Sequence, residues 1–444
     1  MSLAESRLEA ARSRVDVVGG RTGVVGSRVD VAGNRLSAAS GRRSAAEDLT
    51  PGMLELRELC RAVAGDLRRE ALAVDADPFD SARLRNCEAL ELLRQMSMPR
   101  DYRTREVPAC ADEFTGSALG RVVANIEVAG GDAGVVNACA TPSLAGLAVD
   151  ALGDERQKEL FYRDMAERRS WTFFAMTEPD HGSDATAMET RLDPDPGSGS
   201  VPGSAPGSGS GGDGFLLNGT KRYVANAERG DIGVVFARTG RTPLSIRAVI
   251  LRRPSPGFTG TPLAMTGLRG ACIGHMEFHD TPVAREMLLG QHLPASRRGM
   301  WGAMRAFNVI RLQIAAQALG AAFAIRDYVR AQRPGWSGAR GWPGEELMSA
   351  RLEAARALLH RYAIEVDLAP DARLAPSIAK LHTTELAQET TRWAEAALGP
   401  GSLLEHPLLE KWCRDVCAFE FMDGTSNILR LTIAADAEPT RARG

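Results

Sequence analysis

Residues 174–184 read Phe-Ala-Met-Thr-Glu-Pro-Asp-His-Gly-Ser-Asp, placing the hydroxyls of Thr177 and Ser183 on either side of a Pro-Asp-His-Gly turn. An apolar run, Trp171 to Met176, leads into the turn. An extended segment that stops at a turn crowded with short polar groups makes a rim able to hold a planar, polar-edged ligand. The same residues also read as an ordinary strand end bent by Pro179. His181, at the tip, reads as a solvent-facing side chain rather than a catalytic one.

Such a rim needs elements to position it. Residues 1–50 read as an appendage, disordered or loosely helical, in which Arg14-Val-Asp-Val-Val-Gly-Gly-Arg21 recurs as Arg28-Val-Asp-Val-Ala-Gly-Asn-Arg35. Met53 is a candidate true start. From 51 to 170 apolar residues fall at helical spacing, as in Leu54, Leu56, Leu59, Ala62 and Val63. From 171 to 290 short apolar runs alternate with Gly, Pro, Asn and Asp turns and read as strands. Within that stretch, residues 194–214 are nearly all Gly, Ser, Pro and Asp, a flexible insertion rather than a linker. From 291 to 444 the pattern is helical again, in segments 296–332, 344–366, 374–398 and 408–437. The expectation is an α+β multidomain fold with an N-terminal helical domain, a middle β domain and a C-terminal four-helix bundle.

Composition narrows the function classes. The chain has 444 residues, 44% of them hydrophobic, and a net charge of −2, without the basic footprint of a nucleic-acid binder. Four lysines (Lys158, Lys221, Lys380, Lys411) stand against 50 arginines, a skew that reads as genome base composition. Seven cysteines form no CxxC pair, so a reducing, cytoplasmic setting and no metal are expected. No apolar run reads as membrane-spanning, and no secretory segment follows Met1.

Four more stretches complete a pattern with residues 174–184. They are Asn218-Gly-Thr-Lys-Arg-Tyr-Val-Ala-Asn226; Gly267-Leu-Arg-Gly270 continuing to Leu289-Gly290; Arg311-Leu-Gln-Ile-Ala-Ala-Gln-Ala-Leu-Gly320; and Glu410 through Asp423-Gly-Thr-Ser-Asn-Ile428. In order and spacing, the set from about residue 50 onward resembles the acyl-CoA dehydrogenase family. That resemblance implies FAD held between the β domain and the C-terminal bundle, often with a neighbouring subunit's help. It implies α,β-dehydrogenation of an acyl thioester: a carboxylate removes the α proton while the β hydrogen leaves as hydride to flavin N5. Charge developing on the thioester oxygen then needs donors, which the family draws from a flavin hydroxyl and the backbone N–H of the catalytic acid residue. The implied partners are an acyl-CoA or acyl-carrier-protein thioester, an electron acceptor (electron-transfer flavoprotein or oxygen), and further copies of the chain in a tetramer or dimer.

Carried over residue by residue, the resemblance assigns Asp423 as base with Arg311 beside it. It assigns Met176, Thr177, Gly182, Ser183, Tyr223, Ala225, Arg333, Thr425 and Asn427 to the cofactor. The chain departs from the family at several of these. The family's usual base is Glu, and Asp423 is shorter by one C–C bond, about 1.5 Å. The alternative Glu position on the first bundle helix holds Ile310. Three readings follow: Asp423 is the base for a more deeply seated substrate, it serves oxidation at a carbon bearing oxygen or nitrogen, or the site is weakened and the chain is a non-catalytic relative. An Asp before Gly-Thr-Ser also suits a plain turn or helix cap. Tyr223 stands where Trp is common, Ala225 where a Thr often bonds flavin N5, and Asn427 where Gln is usual. Arg333-Pro-Gly-Trp336 matches an Arg-x-x-Phe cofactor contact only in part.

Overall fold

The computed structural model describes residues 49–196, 214–333 and 344–437. The repeat in 1–50, the bulk of the 194–214 insertion and Pro334–Trp336 lie outside the described residues.

Among the described residues, seven helices precede the sheet. The first, α1 (Pro51–Ala76), starts where the Thr50 hydroxyl accepts from Met53 N at 3.1 Å and Pro51 takes the first turn. It buries Leu56, Leu59, Cys60, Val63 and Leu67, one stripe at helical spacing. Next come α2 (Ser81–Asn86), α3 (Glu88–Ser97), α4 (Asp112–Gly116) and α5 (Ala118–Asn137). The two amides opening α5 are taken by Asp367, at 2.7 and 3.1 Å. Then follow α6 (Ser143–Leu152) and α7 (Glu155–Arg168), the latter opened by a capping box of Asp154 and Gln157.

The strands are β1 (Thr172–Ala175), β2 (Arg191–Pro194), β3 (Gly214–Val224), β4 (Ile232–Arg238), β5 (Ile246–Arg252), β6 (Phe258–Pro262) and β7 (Gly274–Ala284). They form one seven-stranded sheet in the order β1-β4-β2-β3-β7-β6, with β5 pairing β4. The β1–β4 pair is parallel, with Phe174 opposite Val234. β4 is buried on both faces until its last residue, which is why it reads as a continuous apolar run.

The C-terminal helices are α8 (Gly299–Gln332), α9 (Glu345–Leu368), α10 (Leu374–Leu398), the short α11 (Ser402–Glu405), α12 (Pro407–Ala418) and α13 (Ser426–Ala437). Two expectations need correction. Residues 408–437 are not one helix: the chain leaves helical geometry after Ala418 and resumes at Ser426, and Asp423 lies in the break. The helix α8 is long and apolar enough to cross a membrane by length and composition. The cause is central packing: α8 runs between α5 and α10 and buries Leu312, Ile314, Ala315, Leu319, Ala322 and Ile325 among them.

Candidate active site

The turn after β1 is fixed from beneath. The Lys221 ammonium, fully buried on β3, donates to the Met176 carbonyl at 2.9 Å and to Glu178 Oε1 at 2.8 Å. Glu178 also accepts from the amides of Glu189 and Thr190, at 2.6 and 2.9 Å. Burial brings Lys221 down to about 8 against the opposing pull of Glu178. Burial alone would push Glu178 up, yet the Lys221 charge and these hydrogen bonds hold it below the usual carboxylate range. The Thr177 carbonyl accepts from Arg222 N at 2.9 Å, tying the turn to β3. Among the described residues, the Thr177 hydroxyl bonds to no protein group.

One residue further, β3 slips register against β7 between Arg222 and Val224. The slip is a bulge: Tyr223 takes φ 61°, and its side chain is 58% exposed. Asn226, at φ 57°, is pinned by its side-chain donation to the Thr172 carbonyl at 2.8 Å. Ala225 between them is half-buried. Met176 is buried among Met98 and Met188, while Gly182 and Ser183 are exposed on the turn. His181 is half-buried, 3.8 Å from Glu189.

The loop between α12 and α13 holds the carboxylate. Asp423 and Gly424 both take left-handed backbone, φ 50° and 106°. Asp tolerates this conformation better than most side chains, and Gly takes it without cost. Arg311 Nε donates to the Asp423 carbonyl at 3.1 Å. The Lys380 ammonium donates to the carbonyls of Gly424 at 2.7 Å and Glu420 at 3.2 Å. Glu420 in turn accepts from the Ser426 amide at 2.9 Å and hydroxyl at 2.5 Å, and Thr425 Oγ1 accepts from Ile428 N at 3.4 Å. These bonds open α13, so Thr425 does serve as a helix cap. Its O–H proton remains available to a ligand. Asn427 is exposed and accepts from Arg430.

The Asp423 carboxylate has no ion-pair partner within 4 Å among the described residues, and its main-chain N–H makes no hydrogen bond there. Burial pushes its pKa up, against the pull of Arg311 and Lys380. Burial also lowers Arg311, with Asp423 opposing and Arg373 adding to the drop.

Helix α8 joins the two halves. Phe307 packs edge-on against Phe174 of β1, ring centroids 5.8 Å apart. Arg311 lies one helical turn further on, about 6 Å along the same face. The strand that leads into the Thr177 turn and the loop at Asp423 therefore both touch one stretch of one helix. Arg333 stands apart from this cluster, about 33 Å farther along α8, where it donates to the Leu398 carbonyl at 3.1 Å. A cleft of about 690 Å³ opens on the sheet near Pro179, His181, Asn218 and Arg238. Neither Asp423 nor Arg311 lines it.

Sequence reading missed Glu178, Lys221, Lys380 and Glu420. Lysine scarcity was the available signal. In a chain that uses arginine almost everywhere, a retained lysine marks a place where a compact point charge fits and a planar fork does not.

Residues 173–281 match the acyl-CoA dehydrogenase middle domain, and residues 297–437 match the acyl-CoA dehydrogenase C-terminal domain. The mitochondrial short-chain specific acyl-CoA dehydrogenase of Bos taurus is 30% identical over 294 residues, 64% of this chain and 66% of that enzyme's length. Butyryl-CoA dehydrogenase from Megasphaera elsdenii superposes with a TM-score of 0.72 at 23% identity, over 88% of this chain and 98% of that one. The prolyl acyl carrier protein oxidase AnaB superposes with a TM-score of 0.71 at 21% identity, over 88% of this chain and all of that one. The chain belongs to the acyl-CoA dehydrogenase family of FAD-dependent oxidoreductases.

The residues present fit the flavin. An exposed aromatic ring stands on a left-handed bulge beside a turn whose hydroxyl, among the described residues, lacks a protein partner. Thr177, Tyr223 and Thr425 would hold it.

Proposed function

We propose that the chain oxidises an acyl thioester to its α,β-unsaturated product, with Asp423 as the base that removes the α proton. The observation that carries this reading is the unpaired Asp423 carboxylate. It sits in a recess that raises its pKa, on a backbone gripped by Arg311 and Lys380. A general base works best with a pKa near the operating pH. The free N–H of Asp423 is a donor for the charge that develops on the thioester oxygen. Bound FAD supplies the acceptor for the β hydrogen. Packing of Phe174 on Phe307 seals one side of the junction and helps exclude water.

The thioester handle is coenzyme A or a carrier protein's phosphopantetheine arm, since both present the same group to the base. A second reading, oxidation at a heteroatom-bearing carbon of a carrier-tethered unit, draws on the shortened base and on the fold shared with AnaB. We further propose a homo-oligomer, dimer or tetramer. Leu347, Leu368, Leu404 and Leu431 of the C-terminal helices, with Phe421 of the α12–α13 loop, expose 65–88% of their surface, and a second copy would cover them. Arg333 would then serve a cofactor in the neighbouring copy. Electrons leave to an electron-transfer flavoprotein or to oxygen. Seven free cysteines fit a reducing, cytoplasmic setting.

Anaerobic titration of the purified flavoprotein with acyl-CoA and acyl-carrier thioesters tests the reading, beside Asp423→Asn. Bleaching of the flavin band in the wild type and not in the variant supports it. A flavin-loaded protein that no thioester bleaches sinks it and moves the heteroatom reading forward.

A further inference from the structure

Lys380 is fully buried, yet among the described residues no carboxylate lies within 4 Å of its ammonium. Among the described residues its hydrogen bonds go to two carbonyls, Glu420 and Gly424, which bracket Asp423. A buried ammonium without a counter-ion is costly, and such a group persists where its charge has another use. The charged groups around it are Glu420 and Asp423 on the loop and Arg311 on α8. Glu420 is engaged in capping α13 through both oxygens. Arg311 is spent on the Asp423 carbonyl. Asp423 is the one acid among the three whose carboxylate is uncommitted.

We infer that Lys380 is a positioning residue for Asp423: it clamps the loop on both sides of the base, and its charge sustains the carboxylate in the recess. This rests on the reading of Asp423 as the base. The two roles separate physically. The clamp needs N–H donors, which a neutral amine still has; the electrostatic support needs the charge. Burial brings Lys380 down to about 8, against the pull of Glu420 and Asp423, so its charge is lost at mildly alkaline pH while the clamp persists. A raised pH and a Lys380→Met substitution therefore have different effects. The first removes charge alone, and the second removes charge and clamp together.

The test uses the lysine count. A flavin-loaded chain labelled with ¹³Cε-lysine gives four side-chain signals, and Lys380→Arg assigns the one from Lys380. The expected result is a Lys380 midpoint near 8 that falls by several tenths of a pH unit or more in Asp423→Asn, where a negative neighbour is gone. An ordinary lysine midpoint, or one unmoved by Asp423→Asn, overturns the inference. Kinetics with butyryl-CoA as probe add a second arm. In Lys380→Met the acid limb of the rate profile moves to higher pH, because Asp423 loses a positive neighbour, whereas Lys380→Arg holds it in place. A Lys380→Met variant that loses thermal stability but keeps the wild-type profile marks a merely structural lysine. If Asp423→Asn turns over butyryl-CoA as fast as wild type, the base assignment fails, and the Lys380–Asp423 coupling seen by resonance stands or falls separately.

Discussion

Arg311 Nε bonds the main-chain carbonyl of Asp423 at 3.1 Å rather than its carboxylate. The cation fixes the Asp423 backbone and leaves the carboxylate outside that hydrogen bond. Arg311→Met should release the loop. A misplacement of about 1 Å costs on the order of a hundredfold in rate. We therefore expect kcat/KM to fall at least that far while flavin absorbance per chain is retained. Equal loss of flavin and rate would mean that Arg311 supports the cofactor site instead.

The length of the base is a second test. Asp423→Glu pushes the carboxylate about 1.5 Å further into the site, the reach of the family's usual Glu. If the cavity is shaped for the shorter side chain, the wild type's best thioester should lose about two orders of magnitude in the rate of flavin reduction. A faster Asp423→Glu enzyme would show that the recess was never matched to Asp. Stopped-flow absorbance reads either outcome.

A buried ionic knot joins three parts of the fold. Lys411 on α12 donates to both Asp132 oxygens, at 2.7 and 2.6 Å, and to Asp415 at 2.7 Å. Asp132 sits where α5 leaves helical geometry (φ −168°, ψ 119°), restarts the helix by accepting from Val135 N at 2.8 Å, and takes the Trp412 indole N–H at 2.9 Å. Asp415 accepts from Leu268 N, on the loop between β6 and β7, at 2.6 Å. Lys411→Met leaves two buried carboxylates unpaired, and the expected loss is about 3–5 kcal/mol in urea unfolding. A loss below about 1 kcal/mol would mean that water or protonation already relieves the knot.

Acid stability has a local source. Burial acts to raise Glu91, but hydrogen bonds from Arg94 and Gln95, with the charges of Arg94 and Arg169, hold it at about 2. Its folded pKa is depressed, so its contribution is present above the unfolded value and lost as pH falls from about 4.5 through about 2. Glu91→Gln should lower stability at pH 7 by about 3 kcal/mol and flatten the decline across that window. Thermal unfolding from pH 7 to pH 3 measures both.

The sheet was legible because β4 and β5 carry apolar runs between turn residues, and α1 and α8 because their buried residues recur at helical spacing. The break before α13 was not read, although Asp423-Gly424 and Thr425-Ser426 carry turn and cap chemistry. Apolar residues on both sides kept a helical period through it. Lys221–Glu178 and Lys411–Asp132 lie 43 and 279 residues apart, so no local spacing announces them. The bulge at Tyr223 was invisible for a similar reason, since a register slip belongs to the pair of strands and not to either sequence alone.

Three of the four lysines are sealed inside the fold, and only Lys158, on α7, has a side chain reaching solvent, at 29% exposure. For an amine-directed reagent, the folded chain is nearly monovalent: besides the amino terminus, it offers one handle. A dye, biotin or bead attached under native conditions lands on α7, at Lys158. Opening of the core multiplies the reactive amines, so the mass gained in a brief acylation pulse counts how much of the population has opened.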